Sequence, residues 1–446
     1  MNNELIYSLG ILYFLMAAIY TIIEIVYLIN KKKLTIITFI RVMFTIIYGY
    51  AQGAVFTNVE TIPFMHLLDL TGDGIRKLYF LFFMSIIAYI FINFGYFYLG
   101  KYTLRKSNIK ADYKEIDKSL FIAAIIILAI GTLSLLLWTK AFGGPIAILP
   151  YANQLRSGLS DIYNPWSFMM KFCMLSLFST YIFVGLWSKN RVKKYIIFTL
   201  ISAIPSILYL LANSSRMMLV MYFIFCFLIH NQVNYIYHNG KIKLTRYFLV
   251  AIIGLILMSS AEAIMLLFQE KYKEINIDIN FNVLDILKNE FFYPAISGQG
   301  AITAFQDNVV NYRFFKDVIS GILSWLPSRF RPEYLPRLED INTLYIMGTT
   351  KLGYLPPDFL AVCMYDFGYL GFVILPSVFG ILARKVHFKY IKSSKNILNI
   401  ILYILGSFYF LKAIGYADLS NIMSNIFYIF IGYIIIKFVR ILYRRK

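Results

Sequence analysis

Long apolar runs, separated by short polar connections, dominate this chain. An α-helix needs about 20 apolar residues to cross the hydrocarbon core of a bilayer, and the runs predict eleven such helices. Their approximate ranges are 5–28, 34–55, 78–99, 120–138, 166–187, 195–211, 216–230, 247–268, 359–382, 397–414 and 422–439. The pattern therefore predicts an all-α, polytopic membrane protein.

Lys and Arg are concentrated in every second connection between the predicted spans. The basic connections are 31–33, 101–118, 189–194, 241–246 and 384–395, together with the C-terminal residues 440–446. Because basic connections stay on the cytoplasmic side, this alternation predicts an N-terminus outside and a C-terminus in the cytoplasm. No Lys or Arg precedes the first span, so we expect it to be retained rather than cleaved as a signal peptide.

Composition supports the same class of protein. The chain of 446 residues is 59% hydrophobic and carries a formal net charge of +20. Because this charge is spread over the cytoplasmic connections, it favours contact with anionic membrane lipid over nucleic-acid binding. The pattern contains no internal repeat and no soluble domain, and it predicts a single integral-membrane domain over residues 1–446.

One connection differs from the others in length and charge. Residues 269–357 form a large extracytoplasmic loop in the predicted topology, and its acidic and basic residues nearly balance. Connections of this length are usually functional. The segment INIDINF predicts a short strand, and Asn282–Phe292 and Phe314–Leu326 have helical apolar spacing typical of helices lying in the membrane interface.

The polar stretch Ser320–Gly371 combines prolines, arginines and carboxylates. Prolines restrict the backbone, so we expect a shaped rather than helical segment here. Guanidinium groups bind phosphate or carboxylate bidentately, and this favours an anionic ligand, while a solvated loop with ion pairs is the alternative. The arginines are Arg329, Arg331 and Arg337, and the carboxylates are Glu333, Glu339, Asp340, Asp358 and Asp366.

Three further arginines lie in predicted outer segments. Arg216 follows two serines at the tip of a helical hairpin, and an arginine near membrane depth is costly without a partner or a polar cavity. It is a binding candidate, with snorkelling to lipid phosphate as the alternative. Arg156 lies in the loop before the fifth span, where a plain loop arginine explains it equally well, and Arg313 lies in the large loop.

Charged residues within or beside the spans are the remaining candidates. We expect Glu24 and Arg41 to pair across the first two helices. Asp366 lies about two turns into the ninth span and Asp358 at its mouth. Either carboxylate is placed to act as a general base or as an ion-pair partner of an arginine. Lys412 and Asp418 also stand out near the end of the tenth span.

Signatures of several other enzyme classes are absent from the sequence. It contains no Gly-rich phosphate loop and no Ser-His-Asp arrangement, and its four His residues are scattered. The three Cys residues lie in apolar runs without metal-ligand or disulfide spacing. We therefore expect no metal site and no bound cofactor.

Several short stretches resemble the O-antigen (oligosaccharide repeat-unit) polymerases, the Wzy-type family. They are ANSSRMMLVMYFIF after the sixth span, EFFYPAISGQGAITAF in the outer loop, and ILSWLPSRFRP followed by YDFGYLGFVILP. Gly368 and Gly371 resemble the Gly-x-x-Gly start of a helix in that family. Arg337 and Gly348, with ten residues between them, resemble a spacing of some members. In length and topology the resemblance covers the whole chain, and the order and spacing of the short stretches carry it.

The resemblance implies a GT-C-like fold of eleven or twelve spans and a metal-independent glycosyltransferase. Such an enzyme works at the outer face of the bacterial inner (cytoplasmic) membrane. It transfers a growing undecaprenyl-pyrophosphate-linked glycan onto a new lipid-linked repeat unit of O-antigen lipopolysaccharide, capsule or a related polysaccharide. Its implied partners are undecaprenyl-pyrophosphate-linked oligosaccharide, membrane lipid and a chain-length regulator protein. A ligase-type glycan transferase and a flippase or transporter of lipid-linked sugar are the alternatives.

Under this resemblance the predicted site residues take specific roles. The catalytic candidates are Asp366, Asp358 and Arg216. The substrate-binding candidates for pyrophosphate and glycan are Arg156, Arg216, Arg329, Arg331, Arg337, Tyr345 and Tyr365. We expect Arg216 and at least one of Arg329, Arg331 and Arg337 to contact the donor pyrophosphate.

Overall fold

The structure is a computed structural model. It describes residues 2–31, 35–58, 60, 65–101, 117–157, 162–213, 215–238, 291–309, 311–326, 330, 336–349, 355–392 and 396–444. Within these ranges the regular structure is helical, without a strand. The predicted all-α class is therefore confirmed for the described residues. The predicted strand, the predicted eighth span and most of the predicted helix Asn282–Phe292 lie outside the described residues.

Ten described helices are long and apolar enough to cross a membrane. They are Asn3–Asn30, Ile36–Thr57, Gly72–Leu99, Asp117–Phe142, Ser167–Asn190, Lys193–Ala212, Met218–His238, Phe359–Ile391, Ile397–Gly415 and Leu419–Tyr443. Each corresponds to one of the eleven predicted spans. The chain is therefore a multi-pass membrane protein.

The seventh span is longer than its sequence predicts. The predicted span ends at His230, just before the polar residues Asn231, Gln232 and Asn234, yet the helix continues from Arg216 to His238. The helix accommodates the polar side chains of Gln232 and Asn234 because both find partners. Asn234 bonds to His230 at 2.8 Å, and Gln232 donates to the hydroxyl of Tyr390.

The described residues form two compact units. The first comprises those within Met1–Lys110, Phe281–Lys389 and Gly406–Ser424, and the second those within Ala111–Asn280, Tyr390–Leu405 and Asn425–Lys446. The α-helices, in chain order, are Asn2–Lys31, Ile36–Thr45, Gln52–Thr57, Gly72–Phe94, Asp117–Thr139, Ala152–Ser157, Met170–Cys173, Leu175–Asn190, Lys193–Ala212, Arg216–His238, Tyr293–Gln306, Lys316–Leu323, Leu338–Met347, Phe359–Phe367, Gly371–Lys392, Ile397–Gly415 and Leu419–Arg444. The prediction of a single domain stays a prediction.

Small residues let the first spans of the first unit approach closely. A Cβ on Gly49 would lie 2.6 Å from the Cβ of Ala17, and one on Gly10 would lie 2.8 Å from Thr57. Close backbone approach is the usual source of helix–helix attraction in lipid, where apolar surface gives no driving force. The first two spans therefore pack along a stripe of small side chains.

The predicted pair of Glu24 and Arg41 is confirmed. Arg41 Nη1 lies 3.0 Å from Glu24 Oε2, and both side chains are buried. The Nε atom of Arg41 donates to Asn93 at 2.6 Å, and its guanidinium lies over the ring of Tyr27. Because a buried charge is costly unless it is paired and hydrogen-bonded, these contacts explain how charged groups are kept inside the spans.

The central helix of the second unit is Leu175–Asn190, which is buried along nearly all of its length. Its Thr180 donates to the hydroxyl of Ser202 at 2.9 Å on the neighbouring helix Lys193–Ala212. At its end, Lys189 pairs with Asp117 at 2.7 Å. Polar contacts between helices and a terminal ion pair therefore hold the helices of this unit together.

The span Phe359–Ile391 is interrupted rather than continuous. Gly368 has a positive φ of 60° and begins a single 3-10 turn, after which the helix restarts at Gly371. The carbonyls of Tyr365 and Asp366, at the end of the first helical segment, accept hydrogen bonds from the backbone N–H groups of Arg313 and Phe314. The large loop thus reaches the break in the span.

Three connections meet at one end of the first unit. Asp69 N donates to Gln299 at 2.8 Å, Ala417 N donates to the carbonyl of Pro357 at 3.0 Å, and Trp325 donates to the carbonyl of Met423 at 2.9 Å. The charge pattern assigned all of these segments to one face of the membrane. The structure agrees with that grouping.

The opposite helix ends also meet. A Cβ on Gly100 would lie 2.7 Å from the side chain of Arg384, and the Arg384 guanidinium lies over the ring of Tyr96. Arg384 begins one of the predicted basic connections, and Gly100 directly precedes another, 101–118. At both ends of these helices, segments that contact each other are therefore ones that the charge pattern assigns to the same face.

Candidate functional site

Five charged residues come together where the three connections meet. We call Arg337, Glu339, Asp340, Lys412 and Asp418 the charged cluster. The first three lie at the start of the helix Leu338–Met347. Lys412 lies in the last turn of the helix Ile397–Gly415, and Asp418 directly precedes the helix Leu419–Arg444. The cluster thus joins the large loop to the short turn between the last two spans.

The helix that carries the cluster corrects the expectation of a non-helical stretch. Arg337 is its N-cap in extended conformation, and Gly348, with a φ of 69°, is its left-handed C-cap. Pro336 precedes the N-cap, where a proline does not interrupt a helix. The spacing of ten residues between Arg337 and Gly348 is therefore the length of one capped helix.

A buried ion pair fixes the start of this helix. Arg313 Nε and Nη2 donate to Asp317 at 2.8 and 2.9 Å, and Arg313 also donates to the carbonyl of Pro336. Asp317 Oδ1 in turn accepts from the N–H of Leu338 at 2.9 Å. Arg313 is thus satisfied by protein groups, and its contacts hold the backbone beside Arg337 in place.

Two further contacts hold the elements that carry the charged cluster, one at Asn342 and one at Gly321. Asn342 donates to the carbonyl of Leu355 and accepts from the hydroxyl of Tyr365 at 3.1 Å. Gly321 lies against the start of the last span, because a Cβ there would come within 2.6 Å of the Ser420 carbonyl oxygen. This close approach belongs to the helix Lys316–Leu323, which is shorter than the predicted Phe314–Leu326. It begins later because Phe315, with a positive φ, is its N-cap.

Arg337 is held in one geometry but stays partly open. Its Nε and Nη2 atoms donate to Asp340 at 3.1 and 3.0 Å, and its Nη1 atom lies 3.8 Å from Glu339 Oε2. The side chain is 43% exposed. Burial works against the charge of Arg337, but the hydrogen bonds and charge of Asp340 raise its pKa, so it is cationic at every working pH. The guanidinium is therefore a fixed cation with an accessible edge.

Glu339 and Asp418 form a carboxyl pair within hydrogen-bonding reach of each other. Burial, followed by the charge of Asp418, raises the pKa of Glu339 to about 7. Burial likewise raises the pKa of Asp418. Two carboxylates that share a site resist being ionised together, so this pair binds a proton more readily than ordinary carboxylates.

Lys412 is the second cation of the cluster. Its Nζ atom donates to Asn421 Oδ1 at 3.0 Å. Its ammonium is close enough to Asp418 and Glu339 to interact electrostatically with both. A carboxyl pair flanked by two cations can therefore bind an anionic group and exchange a proton at neighbouring positions.

Asp358, a predicted catalytic residue, is a buried helix N-cap. Its carboxylate accepts from the N–H groups of Leu360 and Ala361 at 3.0 and 3.1 Å, and from the hydroxyl of Tyr48 at 2.7 Å. The residue is 0% exposed. Burial raises its pKa to about 6 against the opposing effect of these bonds. These contacts give Asp358 a structural role, and its role as a base stays a prediction.

Asp366 anchors the large loop at the break in the span. Its Oδ1 atom accepts from the N–H of Phe315 at 3.0 Å, beside a backbone with positive φ at Phe314 and Phe315. Its Oδ2 atom is buried and has no hydrogen-bond donor among the described residues. The nearby Arg313 is paired with Asp317 instead. The predicted role of Asp366 in catalysis stays a prediction.

The two predicted glycan-binding tyrosines differ in location. Tyr365 is 1% exposed and its hydroxyl holds Asn342, so in this structure it is a packing residue. Tyr345 is half-buried on the helix that begins beside Arg337, and its hydroxyl donates to Asp307 at 2.9 Å. Of the two tyrosines, Tyr345 therefore remains the candidate for glycan binding, because it lies on the same helix as Glu339 and Asp340.

The other predicted arginines are described only in part. Arg329 and Arg331 lie outside the described residues. Arg156 lies in the short helix Ala152–Ser157, and Arg216 begins the helix Arg216–His238. Both belong to the second unit. The hairpin predicted at Arg216 is confirmed, since the preceding helix ends at Ala212. Their contacts with substrate stay predictions.

Sequence reasoning assigned no role to Glu339, Lys412 or Asp418. Glu339 was one of several loop carboxylates, and the other two were noted only as charged residues near spans. The usable signal was charge on both sides of a short turn between apolar helices, since such charges need partners. Which partners they find depends on the path of the large loop.

No group of three His, Cys, Asp or Glu side chains within the described ranges is arranged to hold a metal ion. Comparisons with models of protein families, with curated proteins and with solved structures found no match to this chain. Fold and site together therefore define a multi-pass helical membrane protein with a charged cluster at one end of its first unit. The resemblance to the polymerases rests on the short stretches quoted above.

Proposed function

We propose that this protein polymerises lipid-linked oligosaccharide repeat units at the outer face of the bacterial cytoplasmic membrane. It transfers the growing glycan from undecaprenyl pyrophosphate onto the non-reducing end of a new lipid-linked unit. The product is an O-antigen, a capsule or a related surface polysaccharide. The N-terminus is then external and the C-terminus cytoplasmic.

The observation that carries this proposal is the geometry of Arg337. It is a fixed, partly exposed guanidinium at the N-terminus of a helix, beside Glu339, whose pKa is raised to about 7. A leaving pyrophosphate develops negative charge, which preorganised cations and helix N-termini stabilise. The acceptor hydroxyl has to lose a proton in the same step. The cluster supplies both kinds of group.

The apolar character of the chain fits a lipid-linked substrate. Large hydrophobic side chains are exposed on the spans, among them Leu370 and Ile374 beside the break at Gly368. In a bilayer such faces contact lipid tails, and an isoprenoid tail has the same chemistry. The sugar and pyrophosphate then remain at the membrane surface, at the level of the connections. This arrangement favours chemistry at the surface over passage of a sugar through the protein.

The remaining predicted residues take supporting roles in this proposal. Arg156, Arg216, Arg329 and Arg331 are the further candidates for contacts to pyrophosphate and glycan. Tyr345 is a candidate for stacking against a sugar. Because guanidinium groups can neutralise a pyrophosphate without a metal ion, we propose a metal-independent transfer.

The test is a deletion strain of the bacterium that carries the gene, complemented with variants and scored by glycan chain length. We expect single repeat units on the surface without the protein, and long chains with the wild type. Arg337→Ala should shorten the chains strongly at normal protein abundance. Arg76→Ala, at an exposed arginine near the start of the span Gly72–Leu99, is the matched control and should give long chains.

The same strain separates the alternatives. Loss of a flippase traps single units on the cytoplasmic side of the membrane. Loss of a ligase leaves long chains on the lipid carrier, without transfer to the final acceptor. Either result would overturn the polymerase proposal.

A further inference from the structure

Asp418 has one buried carboxylate oxygen without a donor. It caps the last span, and its Oδ1 atom accepts from the N–H of Asn421 at 3.1 Å. Its Oδ2 atom is buried and receives no hydrogen bond within the described ranges, and the residue is 3% exposed. A buried acceptor without a donor costs free energy. We therefore expect this oxygen to accept a hydrogen bond in another protonation state of the charged cluster.

Glu339 is the group that can supply this proton. Its carboxyl lies within hydrogen-bonding reach of Asp418, and its side chain is 15% exposed, facing the partly open Arg337. When Glu339 is ionised, the two carboxylates repel each other. When Glu339 is protonated, its O–H can donate to Asp418. The site is therefore built to stabilise a proton that arrives on Glu339.

The other two candidate carboxylates are less suited to this role. Asp358 is fully buried and both of its oxygens already accept hydrogen bonds. Asp366 is buried at the break in the span and holds the backbone of Phe315. Glu339 alone of these three borders a partly exposed cation. It is also the one that has a carboxylate neighbour ready to accept a hydrogen bond.

We propose that Glu339 is the general base of the glycosyl transfer, and that Asp418 is a positioning residue that accepts the hydrogen bond of the newly protonated Glu339. This inference rests on the proposed polymerase function. It assigns the proton-accepting step to a residue outside the predicted catalytic set.

The step balances without a further reactant. The oxygen of the acceptor hydroxyl forms a bond to the anomeric carbon of the donor sugar, and the bond from that carbon to the pyrophosphate oxygen breaks. The electron pair of the broken bond leaves with undecaprenyl pyrophosphate. The hydroxyl proton moves to Glu339, whose O–H then donates to Asp418. Release of this proton to water returns Glu339 to the carboxylate before the next cycle.

The electrostatics of the cluster favour this order of events. Burial and the charge of Asp418 raise the pKa of Glu339 to about 7, while Arg337 opposes the rise. A general base works best when its pKa is near the working pH. Arg337 and Lys412 offset two of the three carboxylates of the charged cluster before the reaction, since Asp340 holds Arg337 as well. Protonation of Glu339 removes the excess negative charge of the cluster at the moment when the pyrophosphate leaves.

The experiment uses the full-length protein in liposomes with purified lipid-linked repeat units, and measures the polymerisation rate from pH 5 to pH 9. We expect the wild-type rate to rise with pH through about 7, as Glu339 loses its proton. Glu339→Gln should lower the rate by roughly 10²–10⁴-fold and should retain donor binding. Asp73→Asn, at a 69% exposed carboxylate, should keep the wild-type rate and profile.

Asp418→Asn is the sharper variant because Asn also caps helices well. It removes the negative charge beside Glu339, so the pKa of Glu339 should fall. The acidic limb of the rate profile should therefore move to lower pH by roughly one unit, with polymerisation retained. A purely structural role of Asp418 would lower the rate without moving the limb.

Three results would overturn the inference. Glu339→Gln could polymerise as fast as the wild type, or Asp418→Asn could leave the acidic limb of the rate profile unmoved. The rate of the wild-type protein could also lack any pH dependence near pH 7. If Glu339→Gln fails to fold, the position of the acidic limb in the pH–rate profile of Asp418→Asn tests the inference instead. Failure of the proposed function looks different, because the wild-type protein itself would then make no polymer. Polymerisation by the wild type together with an active Glu339→Gln variant would leave the function standing and remove only the base.

Discussion

The Oδ1 atom of Asp317 accepts a hydrogen bond from the backbone N–H of Leu338 at 2.9 Å while it pairs with Arg313. Both side chains of the pair are buried, with side-chain exposures of 8% and 3%. One carboxylate thus ties the helix Lys316–Leu323 to the start of the helix Leu338–Met347. The position of Arg337 and Glu339 depends on this tie.

Breaking the pair should destabilise the protein strongly. Arg313→Met leaves the carboxylate of Asp317 buried without its main partner, and a broken buried pair typically costs about 3–5 kcal/mol. The pair of Lys77 and Asp73, whose carboxylate is 69% exposed, is the control, because a carboxylate open to water contributes less than about 1 kcal/mol to such a pair. Thermal unfolding in detergent should show a large loss for Arg313→Met and a small one for Asp73→Asn. Equal losses would contradict this assignment.

A side chain at Gly371 should not be tolerated. A Cβ at this position would overlap the carbonyl oxygen of Cys363, which belongs to the helix segment before the break. Forced overlap of this kind costs typically about 1–3 kcal/mol or more. We expect Gly371→Ala to lower the unfolding temperature, and Gly72→Ala, with open space around its Cβ, to leave it unchanged. An unaffected Gly371→Ala variant would contradict the close approach of Gly371 to the carbonyl of Cys363.

The stability of the first unit should fall as pH rises through neutrality. Burial and Asp418 raise the pKa of Glu339 from 4.5 to about 7, so the folded state binds more protons than the unfolded state between these values. The stabilisation is fully present below about pH 4.5 and is lost as pH rises through about 7. Thermal unfolding across this window should show a decline in wild type that Glu339→Gln reduces. A stability that rises with pH in Glu339→Gln and wild type alike would contradict the assignment.

The predicted topology can be tested with reporter fusions. Basic connections stay in the cytoplasm, so a reporter after Ser188 or Gly240 should report a cytoplasmic location. A reporter at Asp307, in the large loop, should report an external one. A cytoplasmic signal at Asp307 would invert the scheme. The charged cluster would then lie on the wrong face for a donor that is used outside.

The role of Arg216 can be separated from snorkelling to lipid. A charge-assisted hydrogen bond contributes about 1.5–3 kcal/mol. Its loss in the transition state lowers the rate roughly ten- to hundredfold. Lysine keeps the charge but not the bidentate geometry, so Arg216→Lys and Arg216→Ala should both shorten the glycan.

The control for this test is protein abundance, with Arg76→Ala as the matched variant. Normal glycan from Arg216→Lys, with Arg216→Ala changing abundance alone, would indicate snorkelling. Normal long chains from both Arg216→Ala and an Arg329, Arg331 and Arg337 triple-alanine variant would remove the pyrophosphate contacts from the proposal.

The sequence by itself determined the class of protein and the ends of most spans. Apolar runs of sufficient length form helices in a bilayer because every backbone polar group has to be satisfied within the segment. The same constraint made the pairing of Glu24 with Arg41 predictable, since two opposite charges on neighbouring spans have few other partners. Local composition and charge sufficed for these conclusions.

The tertiary structure decided what composition could not. Asn231, Gln232 and Asn234 looked like the end of a span, but Asn234 and Gln232 find partners that let the helix continue. Prolines suggested an irregular loop, yet Pro336 and Gly348 bracket a capped helix. The pairing of Glu339 with Asp418 was not visible, because the residues come from different connections. Only the fold of the large loop over the end of the last spans brings their carboxyl groups together, and proximity in space then sets their pKa values.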